Sequence, residues 1–277
     1  MPDPGPKTRD PFRLPAVLSF PLAALVAAGA FCGIVSAGVY ARETALWTAQ
    51  GVGQDWVDLL VVAPVLVVTA WRSLRGSQLA SLLLGGAIVY AAYSLVLYAF
   101  AVHFNSLFLV YSVGLGFAFY ALVCLVVAFE RGDVGAWFSS PAPARTSGVV
   151  SILLGGVFYV LWLSEIVPAL IAGATPKSLT GVGLITNPVQ VLDVGIVLPA
   201  FIAGGLSRAR QRPLGYWLVP VMLTFGVFMD IALIGMTLSM AARGLPDAGP
   251  PVPVFALMAA VSVVVLAALL RRLHRPQ

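Results

Sequence analysis

Eight long apolar runs separated by short polar connectors leave this chain few folds to choose from. They fall near 16–40, 55–71, 78–102, 105–129, 148–172, 187–206, 214–240 and 252–270. A helix needs about 20 apolar residues to cross the roughly 30 Å hydrocarbon core of a bilayer. Inside lipid each segment must satisfy its own backbone polar groups, so the runs predict helices. Their continuity, without alternation, excludes a β-barrel. Only 10% of residues are charged, against about 25% in an ordinary soluble domain. The expected fold is an all-α polytopic membrane protein with eight transmembrane helices.

The basic residues orient that bundle. Lys7, Arg9 and Arg13 precede the first span, Arg72 and Arg75 follow the second, and Arg131 and Arg145 follow the fourth. Arg208, Arg210 and Arg212 follow the sixth, and Arg271, Arg272 and Arg275 the eighth. Thirteen of the 16 Lys and Arg residues thus share one side, leaving Arg42, Lys177 and Arg243 on the other. Cytoplasmic loops retain Lys and Arg, so both termini are expected in the cytoplasm. The net charge of +5 then marks anchors facing anionic lipid, and nucleic acid is not an expected partner.

The domain reading is simple: a cytoplasmic segment at 1–15, one helical membrane domain at 16–270 and a basic cytoplasmic tail at 271–277. The longest connector, Glu130 to Ser147, carries Pro141 and Pro143 and is too short for a soluble domain. The first span has a basic start, and Val39-Tyr40-Ala41 loosely resembles a cleavage site. Its apolar stretch exceeds the usual 7–15 residues of a signal sequence, so a retained helix is expected. Cleavage would leave seven spans. Cys32 and Cys124 lie at different depths, which argues against a disulfide. Ser81-Leu82-Leu83-Leu84-Gly85-Gly86 resembles Ser151-Ile152-Leu153-Leu154-Gly155-Gly156 seventy positions on, and a duplicated two-helix unit is one explanation.

Polar residues concentrate toward the side with few basic residues. Glu165, Asp193 and Asp230 lie within spans 5, 6 and 7, and Asp55 and Asp58 at the outer start of span 2. Tyr93, Tyr98, His103, Asn105 and Tyr111 join them from spans 3 and 4, and Asn187 and Gln190 from span 6. A carboxylate costs about 2.5–3.5 kcal/mol at the bilayer centre on insertion scales, so each is expected to face the bundle interior or water. Asn187, Gln190 and Asp193 are spaced to share one helix face. The candidate ligand-binding set is therefore Glu165, Asp193, Asp230, Asn187, Gln190, Asp58, Tyr93, Tyr98, His103 and Asn105, around an outward polar cavity. The plain alternative is that each carboxyl is neutral and ties neighbouring helices together. Trp47, Trp56, Trp71, Trp137 and Trp217 lie near span ends, as a membrane-interface belt requires. His103 and His274 are the two histidines, on opposite sides, so bis-histidine haem and zincin sites are excluded. No metal or other cofactor is expected.

Two stretches carry a resemblance. One holds Gly53-Gln54-Asp55, Pro64, Arg75-Gly76-Ser77, Tyr90, Tyr93, Tyr98 and Phe104-Asn105-Ser106-Leu107-Phe108-Leu109. The other runs from Thr186-Asn187-Pro188-Val189-Gln190-Val191-Leu192-Asp193 through Leu198-Pro199 to Arg212-Pro213-Leu214-Gly215-Tyr216. Together they resemble a group of multi-pass bacterial membrane proteins with no established activity, which implies a bacterial plasma membrane and nothing catalytic. Three functions stay open. The first is binding or transport of a small cationic or amphipathic ligand. The second is metal-free acid–base chemistry on a lipid or isoprenoid, with Asp193 or Glu165 as general acid. The third is a non-catalytic subunit or assembly factor that meets a membrane-protein partner.

Overall fold

The computed structural model describes residues 10–139, 144–245 and 252–274. Lys7, Arg9, Pro141, Pro143 and Arg275 lie outside the described residues, and so does the side chain of Lys177. Eight helices are long and apolar enough to cross a membrane: span 1 (Arg13–Val35), span 2 (Ala45–Ser73), span 3 (Gln78–Phe100), span 4 (Phe108–Arg131), span 5 (Arg145–Ala172), span 6 (Pro188–Ala209), span 7 (Pro213–Ala242) and span 8 (Val252–Leu270). The fold is all-α and polytopic, as the apolar runs require. Large apolar side chains such as Phe31, Leu60, Phe119, Leu170 and Val264 point outward, where lipid meets them.

Span 2 departs from expectation. Its helix starts at Ala45, capped by the Thr44 hydroxyl that accepts from Trp47 N. Gln50, Gly51, Gly53 and Gln54 dilute the hydropathy of this segment, which hides it among the connectors. Those glycines instead permit close packing: a Cβ on Gly53 would stand 2.5 Å from Gly235 O of span 7. Asp55 and Asp58 consequently lie about three turns into the helix, at 3.6 residues per turn, and are almost wholly buried. They are not at its outer start.

Spans 2 and 6 share an unusual device. Each contains a π turn opening on an aspartate, Asp58–Val62 and Asp193–Val197, followed by a proline at Pro64 or Pro199. Asp58 O accepts from Ala63 N, and Asp193 O from Leu198 N. A proline ring collides with the carbonyl four residues back, and one wide turn relieves that conflict. The two aspartates are 135 positions apart (193 − 58), and the same offset relates the turns at the ends of the two spans. After span 2 the chain turns through Gly76 (φ 80°), with Gly76 N donating to Ser73 O and Ser77 N to Arg72 O. After span 6 it turns through Gln211 (φ 54°), with Gln211 N donating to Arg208 O and Arg212 N to Ser207 O.

The same offset sets spans 1–4 against spans 5–8 along the chain, with corresponding spans running in the same direction. The packing is not symmetric throughout, since span 1 packs along span 4 whereas span 5 hardly meets span 8. Spans 3 and 7 pack on each other. Tyr90 packs on Phe228 (centroids 5.7 Å) and Tyr93 on Phe225 (5.6 Å), which are reciprocal pairs under the offset. Reciprocity of this kind is the mark of a two-fold contact. A Cβ on Gly86 would stand 2.7 Å from Val221 O, the equivalent position in span 7. The seventy-residue match joins spans in unlike surroundings. It pairs span 3, 72% of whose apolar window is buried, with peripheral span 5, where the share is 11%.

The basic end is closed by aromatic packing. Phe129 stacks on Trp217 (5.2 Å, 11°), and both Phe12 and Trp137 lean on Phe129. Trp217 also donates to Glu130 Oε1 at 3.2 Å. Trp217 is buried and Trp137 is partly buried against the core, whereas Trp56 and Trp71 stay about half exposed at span 2. The connector after span 4 joins the chain's last described residues: Ser139 N donates to Arg272 O and His274 N to Trp137 O. Arg208, expected in a solvated loop, is buried in the last turn of span 6 with its guanidinium 4.0 Å over the Tyr216 ring.

Candidate functional site

The end opposite the aromatic plug is where the polar side chains gather, in three groups. The first joins spans 1, 2 and 3. Asp55 accepts from Tyr40 OH on Oδ2 and from Tyr98 OH on Oδ1, both at 2.7 Å. Asp58, one turn deeper, lies 3.4 Å from the same Tyr98 hydroxyl. Tyr98 in turn stacks on Tyr111 of span 4 (5.1 Å, 16°). Space for the Asp55 carboxylate comes from Gly33 of span 1, since a Cβ there would coincide with Asp55 Oδ2. Tyr40 sits in the connector between spans 1 and 2. Its burial and the neighbouring Asp55 push its phenol well above the usual tyrosine range, so it remains a donor.

The second group centres on the other π turn. Asp193 accepts from Tyr93 OH at 3.1 Å and from Trp162 Nε1 at 2.8 Å, so each carboxylate oxygen has a donor. Tyr159 OH donates to Val194 O at 2.6 Å, bracing the same turn against span 5. The third group closes the span 5–6 connector. Glu165 accepts from Ser178 N (2.9 Å) and Gln190 Nε2 (3.0 Å). Asn187 is the N-cap of span 6, its side chain accepting from Gln190 N. Asn187 and Gln190 both reach the Ser178 hydroxyl, as a shared face requires, whereas Asp193 turns to Tyr93 and Trp162.

The sequence-selected residues thus do not meet at one point. Asp230 is buried on span 7 and belongs to none of these groups. His103 and Asn105 brace connectors: Glu43 Oε1 accepts from His103 N (2.7 Å) and lies 3.0 Å from its Nδ1, while Asn105 Nδ2 donates to His103 O. Tyr40, Gln54, Asp55 and Trp162 are participants absent from the sequence-selected set. Repeated Asp-x5-Pro in spans 2 and 6 is the sequence signal for the π turns. Among the described residues, no three His, Cys, Asp or Glu side chains converge as metal ligands do.

Between the groups lies a cavity of about 610 Å³. Span 2 contributes Trp47, Gln50 and Gln54, and span 3 Tyr90, Tyr93 and Tyr98. Phe158, Trp162 and Glu165 enter from span 5, Met229, Met236 and Met240 from span 7, and Phe255 from span 8. No family model, curated protein or solved structure matches this chain. The wall is mainly aromatic and aliphatic, with Glu165 and the amides of Gln50, Gln54 and Asn187 as its strongest polar features. That corrects the expectation of a polar cavity. Asp55, Asp58, Asp193 and Asp230 do not line it; the first three stand behind the tyrosines that do. Among the described side chains, which do not include that of Lys177 beside Ser178, neither Lys nor Arg contributes to the wall.

Proposed function

We propose that the protein binds, or moves across the bilayer, one amphipathic molecule with an extended apolar body and a neutral or cationic polar end. The observation that carries this is the cavity of about 610 Å³ with its aromatic and methionine wall. Ligand sites commonly enclose about 300–1,000 Å³, with mainly apolar walls and a few placed polar groups. Methionine adapts its shape to irregular apolar partners. Glu165, Gln50 and Gln54 supply acceptors for a polar end, and the aromatic faces attract a cation where one is present. Among the described side chains, which leave out that of Lys177, none lining the wall is basic, and the placed polar groups suit a neutral or cationic end. The basic-residue distribution supports an exterior-facing cavity in a plasma membrane with both termini inside, and the motif resemblance supports a bacterial one. Acid–base chemistry by Asp193 is a weaker reading, because both carboxylate oxygens already have donors and neither reaches the cavity wall.

Brominated amphiphiles test the reading through Trp47 and Trp162, which line the cavity. A brominated alkyl amine or alcohol is expected to quench part of the tryptophan emission saturably. That part disappears in the Trp47→Phe/Trp162→Phe variant. Quenching equal in parent and double variant would place the amphiphile on the lipid-facing surface and defeat the proposal.

A further inference from the structure

A second, much smaller cavity of about 10 Å³ lies beside the first polar group, lined by Asp58, Ser94, Tyr98 and Tyr111 with Gly29 and Leu95 among its apolar neighbours. Three buried polar atoms on its lining residues have no hydrogen-bond partner: Asp58 Oδ1, Ser94 Oγ and Tyr111 OH. Each of the three residues is no more than 3% exposed. Leaving one buried polar group unsatisfied is costly, and three around one space point to an occupant. The volume holds a single water-sized body.

The second π turn supplies a contrast. Asp58 and Asp193 occupy equivalent positions, each opening a π turn. Asp193 is saturated by Tyr93 and Trp162. Asp58 has one oxygen near Tyr98, while its Oδ1 makes no well-formed hydrogen bond and has the Tyr90 hydroxyl, itself without a partner, as a neighbour. All three orphan atoms can act as oxygen donors to a hard cation. Among the described side chains, no Lys or Arg lines this cavity or the larger one. Asp55 is already tied to two phenol hydroxyls, which leaves Asp58 Oδ1 as the carboxylate oxygen open to an ion. Calcium takes 6–8 oxygen ligands and magnesium keeps several waters, more than these atoms and a water-sized space supply, so a small monovalent ion fits better.

We propose that Asp58, Ser94 and Tyr111 form a binding site for one small monovalent cation, sodium, next to the π turn of span 2. Ser94 and Tyr98 belong to the walls of both cavities, so the ion reaches the site from the larger one. The site needs no ligand in that larger cavity, and its test is independent of the amphiphile proposal.

The test is thermal unfolding of purified protein in detergent, with sodium chloride replacing choline chloride at constant ionic strength. Sodium binding to the folded state raises the midpoint temperature in a saturable way, and potassium chloride leaves it at the choline value. Asp58→Asn abolishes the response. Ser94→Ala and Tyr111→Phe each raise the half-saturating sodium concentration severalfold, and Asp193→Asn keeps the wild-type response. Equal midpoints in sodium, potassium and choline would overturn the site in favour of a bound water. A wild-type sodium response in Asp58→Asn would also overturn it. Should Asp58→Asn fail to fold, unchanged half-saturation in both Ser94→Ala and Tyr111→Phe refutes the proposal.

Discussion

Loss of the Tyr98 hydroxyl is expected to destabilise the bundle more than loss of the Tyr40 hydroxyl. Tyr98 donates to Asp55 at 2.7 Å and lies 3.4 Å from Asp58, whereas Tyr40 donates to Asp55 alone, also at 2.7 Å. Interhelical hydrogen bonds in membranes average about 0.6 kcal/mol with a maximum near 1.7, while bonds to charged groups elsewhere reach about 1.5–3 kcal/mol. Short distance and burial place these bonds where the two ranges meet. Tyr40→Phe is therefore expected to cost about 1–1.5 kcal/mol and Tyr98→Phe about 1.5–2.5 kcal/mol. The stack of ring 98 on Tyr111 survives in phenylalanine, so it does not enter the difference. Asp55→Ala strands two buried phenols and is expected to cost about 3 kcal/mol or more. Because both phenols share Asp55, the double phenylalanine variant departs from additivity. Reversible unfolding in mixed micelles on a denaturing-detergent gradient measures all four variants. Both phenylalanine variants within about 0.3 kcal/mol of the parent, below the membrane average, would refute the reasoning. So would Tyr40→Phe proving the more damaging change.

Gly33→Ala sets a methyl where Asp55 Oδ2 lies, and in the same unfolding assay it is expected to cost about as much as the lost Tyr40 bond, roughly 1–2 kcal/mol. Gly86→Ala collides with Thr224 at the span 3–7 crossing and is expected to destabilise by about 1–3 kcal/mol; Gly156→Ala meets open space and gains up to about 1 kcal/mol of helix propensity. The raised Tyr40 phenol keeps its proton in the folded state after the unfolded one has lost its own, at a pH of about 10. The stability it contributes is complete below that pH and is lost above it, so midpoint temperatures scanned from pH 8 to 11 fall less steeply in Tyr40→Phe.

The spans are legible in the sequence because hydropathy is a property of the segment alone. Gln50, Gly51 and Gly53 hide the start of span 2, since a helix held by close backbone packing has no apolar signature. The preference of carboxylates for the end with few basic residues is also readable. Their division into three groups is not, because it depends on which helices touch. Tyr40 comes from a connector and Trp162 from a lipid-facing helix, and neither position announces a carboxylate partner. The kinship of the two π turns is within reach of the sequence, since the Asp-x5-Pro pair sits in spans 2 and 6, whereas the hexapeptide shared seventy residues apart falls on spans of unlike burial.

An amphiphile held in the larger cavity is the central claim, and native mass spectrometry of gently purified protein tests it most directly. The expected result is a one-to-one adduct of a single neutral or cationic amphiphile, lost when Leu233→Trp and Met236→Trp fill the cavity while the fold, read by circular dichroism, is kept. A bare protein mass, or a lipid adduct equally abundant in the filled variant, would contradict it.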